Sequence, residues 1–122
     1  MIYSETKLGI SDNSGAKLVK CIKVLKFAKS SGAKPASLIV VSVKKIKTNK
    51  TIIKGQICRG LLVRGKKNIQ RETGLSIKFN DNSLVLVDQK SLPVASRILG
   101  PVYSELRLKD YPKVIALAKI II

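Results

Sequence analysis

The chain has 122 residues, 24 Lys and Arg against 7 Asp and Glu, no His, and a formal charge of +17. That length suits one domain with a real core, and a hydrophobic content of 45% excludes intrinsic disorder. The few aromatic residues, Tyr3, Phe27, Phe79, Tyr103 and Tyr111 with no Trp, exclude stacking of single-stranded bases as the main binding mode.

The charge is unevenly placed. From Asn13 to Arg71 the chain runs 59 residues without Asp or Glu yet carries 16 Lys and Arg, while the rest holds 8 basic and 7 acidic residues. Apolar runs in the same half, Leu38-Ile39-Val40-Val41 and Gly60-Leu61-Leu62-Val63, mark folded core and not a basic tail. A folded domain with that much positive charge repels itself unless a polyanion neutralises it.

Lys7 to Ile10 reads as a short strand, followed by the turn cluster Ser11-Asp12-Asn13-Ser14-Gly15. Lys17 to Leu25 is β-rich, with Val19, Cys21 and Leu25 on one face. Lys29 to Pro35 is a polar loop, and Leu38 to Val43 is a buried strand by its β-branched run. Lys44 to Lys54 carries five lysines and reads as a hairpin-like projection turning at Thr48-Asn49-Lys50. Gln56 to Arg64 forms another strand and Gly65 to Gly74 a second basic loop. Ser76 to Phe79 and Leu84 to Val87 are short strands joined across Asn80-Asp81-Asn82.

Leu92 to Pro101 is irregular, broken by Pro93, Gly100 and Pro101. Ser104 is placed to cap a short helix through Leu108, with Glu105 in its first turn. Lys109 to Ala118 presents Val114, Leu117 and Ala118 on one helical face, with Asp110 as its N-cap. The apolar tail to Ile122 is short, interrupted by Lys119, and reads as a packed helix and strand, not a membrane anchor; no run approaches a membrane span. Met1 to Ile10 lacks the apolar core of a secretory signal. These elements predict a mainly β fold in one domain: a small β-barrel over about residues 1–90, then an irregular and helical part over about 91–122.

Catalysis finds little support. Without His there is no imidazole base, and Asp12, Asp81, Asp88 and Asp110 sit at turns or helix starts, where capping is their ordinary role. Cys21 and Cys58 read as free thiols, with a disulfide left open, and two Cys without His fall short of a zinc site. Neither a cofactor nor a metal is expected. Lys44, Lys45, Lys47, Lys50 and Lys54, then Arg64, Lys66, Lys67 and Arg71, flank strands, so basic loops on a rigid scaffold can follow a phosphate backbone. With no early recognition helix, structured RNA read by shape, phosphate and 2′-hydroxyl fits better than DNA.

An ordered set of fragments resembles the universally distributed family of ribosomal large-subunit protein fourteen. It comprises Asp12-Asn13-Ser14-Gly15-Ala16, Cys21-Ile22, Val24-Leu25, Lys54-Gly55, Gly60-Leu61-Leu62-Val63-Arg64, Lys66-Lys67, Gly74, Phe79, Asn82, Val85-Leu86, Arg97-Ile98, Gly100-Pro101-Val102 and Glu105-Leu106-Arg107. Thr73, Ala95-Ser96 and Leu99 depart from the family pattern.

The resemblance implies a five-stranded β-barrel with a projecting β-ribbon and short C-terminal helices, a structural role without catalysis, and large-subunit ribosomal RNA as partner. It also implies neighbouring ribosomal proteins, bridges to small-subunit RNA and a ribosome-silencing factor. By position, Lys44, Lys45, Lys47, Lys54, Arg64, Lys66, Lys67 and Arg71 are the expected RNA contacts, with Arg97, Arg107 and Lys109 at RNA or the intersubunit face. A basic nucleic-acid-binding module acting outside the ribosome is the alternative. The 19 Lys against 5 Arg, with abundant Ile, resemble coding from an AT-rich genome and favour a mitochondrial ribosome, with a bacterial cytoplasm or plastid as alternatives.

Overall fold

Alternation and continuous apolar runs build different strands. In β1 (Lys7–Ile10), β2 (Ala16–Val24) and β3 (Leu38–Ile46), alternate positions are buried: Leu8, then Val19 and Cys21, then Ile39, Val41 and Val43. Such strands bury one face. β4 (Ile57–Arg64) instead buries Leu61, Leu62 and Val63 in succession. After the short β5 (Ile69–Gln70) and β6 (Ser76–Ile77) comes β7 (Ser83–Val87), buried at every position. Continuous burial of this kind means that both faces are covered. The computed structural model describes residues 2–25, 32–47, 52–109 and 111–122.

Five strands close a barrel in the order β1-β2-β3-β4-β7. Neighbours run antiparallel except at the seam, where β1 lies parallel to β7 through Gly9 opposite Ser83 and Ile10 opposite Leu84. Leu8, Val19, Cys21, Ile39, Val41, Val43, Leu62, Leu84 and Leu86 fill the interior. A second cluster lies on the outside of β4 and β7, where Leu61, Val63, Val85 and Val87 meet Ile98, Val102, Leu106 and Val114. The C-terminal part is therefore a lid over the β4 and β7 side of the barrel, and among the described residues none of β1 or β2 belongs to this cluster. That lid contains β8 (Pro101–Val102), a 3₁₀ turn (Ser104–Leu106), α1 (Pro112–Leu117) and β9 (Ile120–Ile121), which lies parallel to β8.

The seam is fastened by the turn after β1. Asp12 is 6% exposed; its Oδ1 accepts from the Ser14 N–H at 3.1 Å and the Ser14 hydroxyl at 2.6 Å, and its Oδ2 accepts from the Leu86 N–H at 3.0 Å. Ser11 N–H donates to the Leu84 carbonyl, and Leu99 N–H to the Ser11 carbonyl at 2.6 Å. Asn13 Oδ1 accepts from the N–H groups of Ser96 and Arg97. One polar turn thus ties β1, β7 and residues 96–99 together.

Several local expectations change. β3 runs on to Ile46 because its last residues pair with β2, Lys45 opposite Leu18 and Ile46 opposite Ala16, so Lys44 and Lys45 are strand residues. The second basic loop contains β5, which pairs with β6, and Ser76-Ile77 therefore lies outside the barrel sheet that holds β7. Ser104 does not cap: it is the first residue of the 3₁₀ turn, and Tyr103 stands at the cap position without a side-chain hydrogen bond. The second helix is shorter than Lys109 to Ala118 and starts at Pro112, whose ring suits a first turn. The predicted turn at Thr48-Asn49-Lys50, residues Lys29-Ser30-Ser31 of the polar loop and the predicted cap Asp110 lie outside the described residues.

The two cysteines are free. Cys21 and Cys58 stand opposite the same Val41 from the strands on either side of it. Two strand spacings, roughly 10 Å, exceed disulfide reach. Burial pushes both thiols up, away from the reactive thiolate.

Asp12→Ala removes a charged acceptor from three donors and should lower stability by about 2–4 kcal/mol in urea unfolding. Asp12→Asn turns an amide N–H towards one of them and should recover only part of that loss. Tyr103 carries a second expectation. It is 1% exposed, edge-on to Phe79 with ring centroids 5.0 Å apart, and burial, with Glu105 adding to it, pushes its phenol up from 10.0 to about 12. A raised folded value favours the protonated form, so this contribution is complete below pH 10.0 and is lost as pH rises towards about 12. Unfolding measured between pH 9 and pH 12 should show wild type losing stability relative to Tyr103→Phe, and a pH-independent difference would refute it.

Candidate nucleic-acid interface

Lys44 and Lys45 stand exposed at the end of β3, Lys47 follows, and Lys54 lies in the connection to β4. The backbone beneath them is held: Lys47 N–H donates to the Gly15 carbonyl at 2.8 Å, Gly55 N–H to Val43, and Val43 N–H to Gln56. Four ammonium groups therefore project from a base fixed by both neighbouring strands.

Lys66 and Lys67 are exposed just beyond β4. Lys66 N–H donates to Asn82 Oδ1 at 2.8 Å, and the Gly65 carbonyl accepts from Phe79 N–H at 3.1 Å. A Cβ on Gly65 would stand 2.9 Å from the Tyr103 hydroxyl, so only glycine admits that tyrosine beneath the loop. The buried Phe79–Tyr103 pair thereby sets the path of the basic loop.

Arg64 and Arg71 behave differently. The Arg64 side chain is 13% exposed; its Nη1 donates to the Leu99 carbonyl at 3.0 Å and its Nε lies 3.3 Å from Asp81 Oδ1, an ion pair without hydrogen-bond alignment. Gly100, at φ +80°, lies against this guanidinium, and a Cβ there would collide with Nη1. Arg71 forks onto Glu105, Nε to Oε1 at 2.8 Å and Nη2 to Oε2 at 3.1 Å, and Nη2 also donates to the Ile122 carbonyl at 2.6 Å. Bidentate pairing of this kind fixes geometry as well as charge. Arg64 thus pins the Leu99–Gly100 segment to the end of β4, and Arg71 pins Glu105 and Ile122 to the β5–β6 ribbon.

The remaining expected residues lie on the lid side. Arg97 has an exposed side chain and a backbone N–H held by Asn13. Arg107 is exposed directly after the 3₁₀ turn, and Lys109 Nζ donates to the Pro35 carbonyl at 3.3 Å. The strands β3 and β4 thus bring together Lys44, Lys45, Lys47 and Lys54, Lys66 and Lys67 stand side by side beyond β4, and Lys109 lines a groove with Ile69, Gln70 and Arg71 of the second basic loop.

The acids explain why the lysines stay unneutralised. Asp12 serves backbone and Ser14 donors, Asp88 accepts from the N–H groups of Lys90 and Leu92, and Asp81 and Glu105 hold the two arginines. Among the described residues no carboxylate lies within ion-pair distance of Lys44, Lys45, Lys47, Lys54, Lys66 or Lys67. Loops drew the sequence reading away from Lys7, Lys17, Lys20 and Lys23 on β1 and β2, although the buried alternates Leu8, Val19 and Cys21 already assign Lys7 and Lys20 to the opposite face.

A barrel closed by the Asp12 turn, a C-terminal lid pinned by Arg64 and Arg71, and unpaired lysines on fixed backbone agree with the comparison to known families. The family model described as Ribosomal protein L14p/L23e matches residues 1–122, the whole length of the chain, and the chain belongs to that family.

Proposed function

We propose that the chain binds large-subunit ribosomal RNA through its exposed lysines, as a structural and non-catalytic constituent of the particle. Membership of the family implies a structural role on the large ribosomal subunit. The observation that supports RNA as the ligand is the separation of charge: Asp12, Asp81, Asp88 and Glu105 are spent on backbone donors and two arginines, while among the described residues no carboxylate pairs with the exposed Lys44, Lys45, Lys47, Lys54, Lys66 or Lys67. Surfaces that only aid solubility interleave both signs. Each phosphate contact would release counterions and neutralise charge that otherwise opposes folding.

Arg97, Arg107 and Lys109 take the second position, at RNA or the face towards the small subunit, where bridges to small-subunit RNA form. Neighbouring ribosomal proteins and a ribosome-silencing factor complete the set of proposed partners, on the strength of the family. Arg64 and Arg71 act by holding the C-terminal side in place, Arg64 through Nη1 on the Leu99 carbonyl and Arg71 through its fork on Glu105. The proposal includes a mitochondrial, organelle-encoded ribosome, on the strength of 19 Lys against 5 Arg and the abundant Ile.

Lys66→Ala with Lys67→Ala should weaken binding to large-subunit ribosomal RNA and make the dependence of log K on log salt shallower by about two units. An unchanged slope would remove that loop from the interface. The chain should also stay on purified large subunits through a high-salt wash. Quantitative release at moderate salt, with equal affinity for duplex DNA, would favour a module acting outside the ribosome.

A further inference from the structure

We infer that the outer face of β1 and β2, centred on Lys7 and Lys20, is a second contact surface for the RNA phosphate backbone, an inference that rests on the RNA-binding function proposed above. Lys7 and Lys20 are directly opposed in the antiparallel β1–β2 pair. Their neighbours Leu8 and Val19 point into the core at 1% and 0% exposure, which turns both lysines outward. Side chains so opposed have Cβ atoms roughly 5 Å apart, and like charges there destabilise the pair. No carboxylate among the described residues lies within ion-pair distance of either lysine.

The surface continues into the lysines already assigned to RNA. Across β2 and β3, Lys20 stands opposite Ser42, and Lys44 lies two residues further along the same face. Lys20, Ser42 and Lys44 line one shallow groove with Ser4, Glu5 and Ile22. Glu5 brings one negative charge to this groove, against Lys20 and Lys44 within it and Lys7, Lys17 and Lys23 on the adjoining strands. The C-terminal lid packs on β4 and β7, no described residue of β1 or β2 belongs to that cluster, and Lys7, Lys17 and Lys23 are exposed. A phosphodiester strand seated on Lys44 would run onto Lys20 and Lys7, and one phosphate between the opposed ammonium groups removes their repulsion.

The test measures the salt dependence of binding to a large-subunit ribosomal RNA transcript for Lys7→Gln/Lys20→Gln, with Lys66→Gln/Lys67→Gln in parallel and sodium polyglutamate as competitor. The face variant should lower the slope by about two units, and combining the two pairs should lower it by about four. Unbound Lys20→Glu should melt at a higher temperature than wild type, because the opposed pair becomes attractive. A slope unchanged in the face variant but lowered in the loop variant overturns this surface and leaves the RNA function standing. No change in either overturns both. Polyglutamate displacing RNA at equal charge concentration would assign the face to an acidic protein, which also overturns the inference. The glutamine variant keeps the test decisive if Lys20→Glu does not fold.

Discussion

Closure of the sheet at β1 and β7 is the constraint on which the rest of the molecule depends. The two strands meet over two residue pairs, Gly9 with Ser83 and Ile10 with Leu84. So short a parallel contact gives little by itself, and an unclosed sheet would expose two edges to other chains. The buried Asp12 carboxylate adds the missing cohesion by accepting from Leu86 N–H on β7 while ordering its own turn through Ser14. Through Ser11 and Asn13 the same turn reaches residues 96–99, so one turn both fastens the barrel and positions the lid.

That economy of acids shapes the surface. A chain with 7 carboxylates and 24 cations cannot neutralise itself, and the fold assigns Asp12, Asp81, Asp88 and Glu105 to internal work. The two arginines that meet carboxylates join distant parts of the chain, Arg71 reaching both Glu105 and the Ile122 carbonyl. Exposed lysines are left on β1 and β2 and on the fixed turns at either end of β4. Guanidinium forks suit the pinning role, and compact ammonium charges on flexible stems suit contact with successive phosphates. Arg64 and Arg71 therefore hold the fold, and the exposed Lys44, Lys45, Lys47, Lys54, Lys66 and Lys67 are left for the proposed contact with phosphate.

Much of this was legible in the sequence, for identifiable reasons. Strand β1 falls on Lys7 to Ile10 as expected, and β2, β3, β4 and β7 lie within a few residues of their predicted ends, because apolar alternation and β-branched runs are local signals. The double burial of β4 was visible as Gly60-Leu61-Leu62-Val63, but its cause, a lid made of residues 40 or so further on, was not. Arg64 and Arg71 looked like the lysines beside them because their partners Asp81 and Glu105 are distant in sequence. Ser104 had the composition of a cap, but Tyr103 takes that position because its ring is buried against Phe79. Lys7 and Lys20 were readable from alternation, yet their direct opposition needed the register of β1 on β2.

Lysine acetylation compared between the free chain and the chain within purified large ribosomal subunits tests the central claim most directly. Lys44, Lys45, Lys47, Lys54, Lys66 and Lys67 should lose reactivity in the particle, while Lys113 and Lys119, exposed on the C-terminal lid, keep theirs. Equal reactivity at all sites, or protection confined to Lys113 and Lys119, would contradict the account.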